Sequence, residues 1–198
     1  MEYPVMEAFY TLQGEGVWSG HAAYFIRLAG CDVGCVWCDV KESWNASRHP
    51  IKTVEQIVFQ ALQYPARIAV ITGGEPVMYN LNPLIYELQR VGFRCHLETS
   101  GAYPLQGCPD WICLSPKKFK APLAEYFEIA HELKIVVFHK SDLTWATELA
   151  SHVKPTCALL LQPEWDKRNI VTPLIIEFIK QNPQWKISLQ THKYLHIP

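Results

Sequence analysis

Three cysteines stand at positions 31, 35 and 38, inside the run Gly-Cys-Asp-Val-Gly-Cys-Val-Trp-Cys-Asp that covers 30–39. Three thiolates at x3 and x2 spacing can hold three corners of a cubane iron–sulfur cluster, whereas an electron-transfer cluster takes four cysteine ligands. The next cysteine is Cys95, so one iron is left open. An open iron can chelate the amino and carboxylate groups of S-adenosylmethionine, placing its sulfonium beside a reducing cluster that cleaves a C–S bond. The protein's share of such chemistry is binding, orientation and exclusion of solvent. The same three residues also permit a zinc site completed by His21 or Asp39, or plain buried thiols.

A second chemically capable group is Thr-Gly-Gly-Glu-Pro at 72–76. Its glycines allow close backbone approach to a ligand, and Glu75 can accept from an ammonium. Four more polar clusters follow apolar runs: Glu98-Thr-Ser-Gly, Ser115-Pro116-Lys117, Gln162-Pro163 and Gln190-Thr-His-Lys. Each alone is a common turn. Their recurrence at the ends of apolar runs matches the carboxyl-end clustering of functional groups in parallel α/β barrels.

The elements that must position these groups are readable as periodicity. Strand-like runs fall at 22–28, 68–72, 93–98, 111–114, 134–138, 157–161 and 185–190, after a short N-terminal stretch. Helical faces are formed by Val54, Ile57, Val58, Ala61 and Leu62, and by Leu81, Leu84, Ile85, Leu88 and Val91. Asn82 before Pro83 and Thr172 before Pro173 predict N-caps with a first-turn proline, and Asp142 predicts the start of a helix running to about 152. Continuous apolar strands alternating with helices imply a parallel sheet covered by those helices. The Gly- and Pro-rich segment between the third and fourth runs leaves one crossover helix minimal or missing. A full barrel takes about 250 residues, so the expected fold is α/β, an open partial (β/α) barrel with a reduced helix complement, in a single domain over 1–198.

Bulk properties narrow the partners. The 18 basic and 19 acidic residues give a net charge of −1, which advertises neither nucleic-acid nor anionic-membrane binding. No apolar run approaches the roughly 20 residues of a membrane span, and the start carries no secretory pattern. A cytoplasmic enzyme acting on a small molecule is expected. Seven cysteines, an odd count, read as thiols rather than a disulfide framework.

The cysteine run, with Trp37 as its aromatic, and the 72–76 turn together resemble the radical S-adenosylmethionine superfamily. The segments 9–16 (Phe-Tyr-Thr-Leu-Gln-Gly-Glu-Gly) and 190–198 further resemble the 7-carboxy-7-deazaguanine synthase family, a likeness that extends over essentially the whole chain. It implies a lyase of the queuosine and 7-deazapurine pathway that contracts 6-carboxy-5,6,7,8-tetrahydropterin to 7-carboxy-7-deazaguanine with loss of ammonia. By the same resemblance Cys31, Cys35 and Cys38 hold a [4Fe–4S] cluster, and Trp37, Cys38, Asp39, Gly74, Glu75, Ser115, Pro116, Lys117 and Gln162 bind S-adenosylmethionine. Leu12, Gln13, Gly14, Glu15, Arg27, Thr72 and Pro198 are implied for the pterin, Arg27 toward its carboxylate and Pro198 through the terminal carboxylate. A surface ion pair is the plain alternative for Arg27. A homodimer and an electron donor such as flavodoxin or ferredoxin are implied as well. The family often carries a Mg²⁺-ligating hydroxyl after the Cys-Asp pair, where this chain has Val40, which puts Mg²⁺ in doubt. A glycyl-radical activase and a non-catalytic zinc-binding module are the rival readings.

Overall fold

The computed structural model describes residues 1–198. Its strands are β1 (Glu2–Leu12), β2 (Ala22–Leu28), β3 (Ile51–Thr53), β4 (Ile68–Gly73), β5 (Arg94–Thr99), β6 (Trp111–Leu114), β7 (Glu132–Val137), β8 (Ala158–Pro163) and β9 (Trp185–Ile187). The helices are α1 (Val54–Ala61), α2 (Asn82–Arg90), α3 (Glu125–Ile129), α4 (Ser141–Ala150), α5 (Arg168–Gln181) and α6 (Thr191–Leu195). All nine strands form one sheet in the order β3-β1-β2-β4-β5-β6-β7-β8-β9. From β2 to β9 every pairing is parallel, while β1 runs antiparallel to both β2 and β3. No α-helix separates β5 from β6, and α3 before β7 has five residues, so the expected open barrel with a thinned helical layer is what the chain builds.

Alternation along the parallel strands divides the sheet into two chemistries. Ile26, Leu28, Ile71, Leu97, Leu114, Leu133, Ile135 and Leu161 are fully buried and join one 33-residue apolar cluster with Ile57, Leu84, Ile85, Leu88 and Ile175 of the helices. Each such side chain contributes about 1.5–3 kcal/mol by leaving water. The intervening residues, among them Arg27, Thr72, Glu98, Lys134 and Gln162, face the concave side and line the main cavity. Continuous apolar runs at the sequence level thus conceal polar residues on every second position near the strand ends.

The structure corrects several local expectations. The N-terminal stretch is the longest strand, β1, and places Val5, buried, and Phe9 against the sheet; Pro4 within it reads as a strand breaker. Asn80 rather than Asn82 presents its side-chain oxygen to the start of α2, accepting from the Asn82 N–H at 3.0 Å. Helix α5 begins five residues before Pro173, which therefore lies inside it and leaves the Asn169 carbonyl without its usual donor. The early start is supported by Glu164, whose carboxylate accepts from the Asp166 and Lys167 N–H groups at 3.2 and 2.9 Å. Helix α4 starts at Ser141, and Asp142 accepts from the Phe138 and His139 N–H groups at 2.8 and 2.7 Å. The last run is strand only over Trp185–Ile187, because the chain turns into α6. No helix is long and apolar enough to cross a membrane.

Candidate active site

The carboxyl ends of the parallel strands open into one cavity, and the cysteine loop forms part of its wall. Cys31, Cys35 and Cys38 all line it and are free thiols. Burial pushes the Cys35 thiol up to about 11, opposed by the charge of Lys117 and reinforced by Cys38 and Cys31; Cys31 is raised for the same first reason. An iron ligand would be deprotonated outright. No three His, Cys, Asp or Glu side chains converge on a single point at metal-ligand spacing. That disfavours one zinc ion held by these thiols with His21 or Asp39. A cubane asks something different, since its thiolates bind separate irons and surround a volume rather than a point. The three cysteines, sharing one cavity wall, fit a cluster.

The Gly-Gly turn after β4 has a structural reason to be glycine beside the expected ligand approach. The Gly74 and Glu75 N–H groups donate to Leu28 and Gly30 carbonyls, both at 2.8 Å. A Cβ on Gly73 would lie 2.0 Å from the Leu28 carbonyl oxygen, and one on Gly74 2.3 Å from that of Gly30. The turn is thereby pressed against the backbone that enters the cysteine loop. Glu75 is 1% exposed and already accepts from Thr99 Oγ1, Ser100 N and Ser100 Oγ. Its carboxylate ties the ends of β4 and β5 together, so any ligand ammonium must share it with these donors.

Across the concave face runs the β1–β2 connection, 13–21. Its Gln13 Nε2 donates to Glu98 at 3.0 Å, its Gly16 N–H to Ser188 Oγ at 2.9 Å and its Val17 N–H to Glu132 at 2.9 Å. Trp18 packs against His96 and Trp111 deeper in the barrel. Glu15 forms a buried ion pair with Lys134 on β7. The C-terminal segment closes over this loop: Thr191 donates to the Gly14 carbonyl through both N–H and hydroxyl at 2.9 Å, and Gln190 Nε2 donates to Glu15 at 2.9 Å. Gln190 also reaches Asp39 of the cysteine loop at 3.3 Å, and Lys193 Nζ lies 2.7 Å from the same Asp39 oxygen.

Every residue anticipated from the sequence lines this cavity except Pro116. Arg27 faces it while donating from Nε to Glu7 at 2.6 Å, so the ion-pair alternative and the cavity position hold together. Lys117 is half-buried, its ammonium destabilised by desolvation, and donates to Ser115 Oγ at 2.8 Å. Gln162 accepts from Ser188 Oγ at 2.9 Å. Pro198 reaches the cavity. Lys134, Glu164, Trp165 and Phe9 also line it and were not anticipated. A lysine opening an otherwise apolar strand run was the available signal for Lys134.

Residues 25–117 match the Radical SAM superfamily. The chain is 53% identical to a 7-carboxy-7-deazaguanine synthase of Flavobacterium psychrophilum over 98% of its own length and 92% of that protein's. This chain belongs to the 7-carboxy-7-deazaguanine synthase family. A 7-carboxy-7-deazaguanine synthase of Escherichia coli K12 is 38% identical, with both chains fully covered. The crystal structure of QueE from Escherichia coli superposes with a TM-score of 0.85 at 34% identity, covering 96% of this chain and 94% of that one. Members of the family are radical S-adenosylmethionine enzymes, which implies a [4Fe–4S] cluster and S-adenosylmethionine here.

Proposed function

We propose that this chain converts 6-carboxy-5,6,7,8-tetrahydropterin to 7-carboxy-7-deazaguanine and ammonia. The observation that carries this is the meeting, in one cavity, of the three-cysteine loop with the 12–15 segment, Arg27 and Pro198. When bound, the reduced cluster and S-adenosylmethionine supply a 5′-deoxyadenosyl radical able to take hydrogen from C6 of the pterin.

The chain's residues bind and orient. Arg27, with Nε held by Glu7, keeps its two terminal nitrogens for a bidentate grip on the pterin carboxylate. Gln13 and Gly14 face the polar ring edge, Glu15 is fixed between Lys134 and Gln190, and Leu12, Thr72 and Pro198 complete the substrate side. Trp37, Cys38, Asp39, Gly74, Ser115, Lys117 and Gln162 border the cofactor, and Glu75 holds the turn that shapes its methionine end. Pro116 acts only as the rigid link between Ser115 and Lys117. The C-terminal segment excludes water, and fixing C6 against the 5′ carbon is the chief demand on the site.

The functional unit we propose is a single domain, acting in the cytoplasm as a homodimer and reduced by flavodoxin or ferredoxin, with no nucleic-acid or membrane partner. Anaerobic incubation of cluster-reconstituted protein with S-adenosylmethionine, dithionite and the carboxytetrahydropterin should yield 7-carboxy-7-deazaguanine and 5′-deoxyadenosine. Cofactor cleavage that never yields the deazapurine would sink the substrate assignment.

A further inference from the structure

The corner of the cavity beside the cysteine loop does not fit a divalent cation. Magnesium demands near-octahedral oxygen coordination. Val40, which lines the cavity here, offers no lone pair. One oxygen of the Asp39 carboxylate already meets Lys193 Nζ at 2.7 Å and Gln190 Nε2 at 3.3 Å, so an ion there would share it with an ammonium. No group of three acids, histidines or thiols stands here at metal-ligand spacing.

We infer that the ammonium of Lys193 stands in place of a divalent cation at this corner, as a positioning charge carried by the chain itself. Resting on the proposed carboxylated-pterin substrate, the inference assigns Lys193, which does not itself line the cavity, the task of offsetting the charge of Asp39, which does, beside an incoming carboxylate. Lys193 is fixed rather than roaming. Its side chain is 22% exposed, and its ammonium lies 5.1 Å from the centre of the Trp165 ring, a cation–π contact. The backbone around it is pinned by the bonds of Gln190 to Glu15 and of Thr191 to Gly14. A dication placed on Asp39 would have to displace this ammonium or accept its repulsion.

The cation is thus carried by the C-terminal segment, which joins substrate loop, C-terminal segment and cysteine loop through one chain of contacts: Gly14–Thr191, Glu15–Gln190–Asp39–Lys193. A metal-dependent arrangement would separate closure from charge compensation, since ion and protein would bind independently.

The test uses cluster-reconstituted, chelator-treated holoenzyme with Mn²⁺ as a paramagnetic probe. Bound Mn²⁺ is counted by electron paramagnetic resonance with S-adenosylmethionine alone and again with the carboxytetrahydropterin, and turnover is measured with EDTA and with MgCl₂. We expect no stoichiometric Mn²⁺ and turnover equal within about twofold in the two buffers. Lys193→Met should raise KM for the pterin about tenfold (~1.4 kcal/mol) with a smaller change in kcat, and Lys193→Arg should restore it. Val40→Thr combined with Lys193→Met should bind one Mn²⁺ per chain when substrate is present and regain turnover only with magnesium. One Mn²⁺ per wild-type chain, or loss of wild-type turnover in EDTA, would overturn the inference. Absence of any pterin turnover would instead overturn the proposed reaction, while one Mn²⁺ per wild-type chain with S-adenosylmethionine alone would overturn the inference on Lys193 independently.

Discussion

Replacing Lys134 by Met should destabilise the protein by about 3–5 kcal/mol, because it strands a buried carboxylate without its counter-charge. The side chains of Lys134 and Glu15 are 5% and 16% exposed. Burial alone would raise the Glu15 carboxyl, but the charge of Lys134 and hydrogen bonds from Lys134, Gln190 and Gln162 outweigh it and bring it from 4.5 down to about 2. At about 1.36 kcal/mol per pH unit, that depression is worth roughly 3 kcal/mol of folding stability at neutral pH. The sign follows from a carboxyl that binds its proton more weakly when folded. Its contribution is complete above the unfolded value and is lost as pH falls from about 4.5 toward 2. In Lys134→Met only the Gln190 and Gln162 hydrogen bonds are left to oppose burial, so the Glu15 carboxyl rises and the mutant's deficit should be largest near pH 7 and shrink as pH falls toward 4. Urea unfolding of anaerobic holoenzyme, followed by circular dichroism at pH 7 and pH 4, would measure both effects. Adding Glu15→Gln should recover much of the loss by removing the stranded charge. A Lys134→Met protein within about 1 kcal/mol of wild type at pH 7 would show that the pair is not the buried, mutually dependent unit described above.

Glu7→Gln should raise KM for the carboxylated pterin several-fold while leaving uncoupled S-adenosylmethionine cleavage intact, because Glu7 only aims Arg27; steady-state assays of both products would expose a uniform loss instead. Ala at Cys31, Cys35 or Cys38 should abolish cofactor cleavage, whereas Ser at Cys95, Cys108, Cys113 or Cys157 should keep iron near the wild-type content; iron and sulfide analysis decides, and loss in Cys95→Ser with retention in Cys35→Ala would refute the ligand set. His96, whose Nε2 has no partner, is brought down from 6.5 to about 4 first by burial and then by the charge of Arg94. Because the imidazole stays neutral when folded, stability should fall by up to about 3 kcal/mol as pH drops from 6.5 to 4. His96→Phe should flatten that part of the stability–pH curve, and an unchanged slope would place its origin elsewhere.

The parallel strands were legible because one face packs under the helices and much of the other is also apolar, which writes them as largely apolar runs. The cysteine loop, the glycine turn and the strand-end clusters were legible because their chemistry needs particular residue types at fixed spacing. Long-range pairing was not. Nothing near Glu75 announces that Thr99 and Ser100 will occupy its carboxylate, nor does Asp39 foretell Lys193. Strand β1 stayed hidden behind Pro4, and the start of α5 behind Glu164, which serves a turn that propensity does not mark. Lys134 escaped because a charged residue in an apolar run is read as a surface position until its partner 119 residues away is known.

The closure of the 13–16 loop by the C-terminal segment also has a consequence in time. Gly16 waits for Ser188, 172 residues downstream, Glu15 for Gln190, 175 downstream, and Gly14 for Thr191, 177 downstream. At synthesis rates of about 5–20 residues per second, the loop leaves the ribosome roughly 9–35 s before its fasteners exist. During that interval the cysteines are already made while the wall that will cover them is not. The cysteine loop therefore spends that interval without the contacts between the C-terminal segment and Asp39, which can form only once the chain is nearly finished.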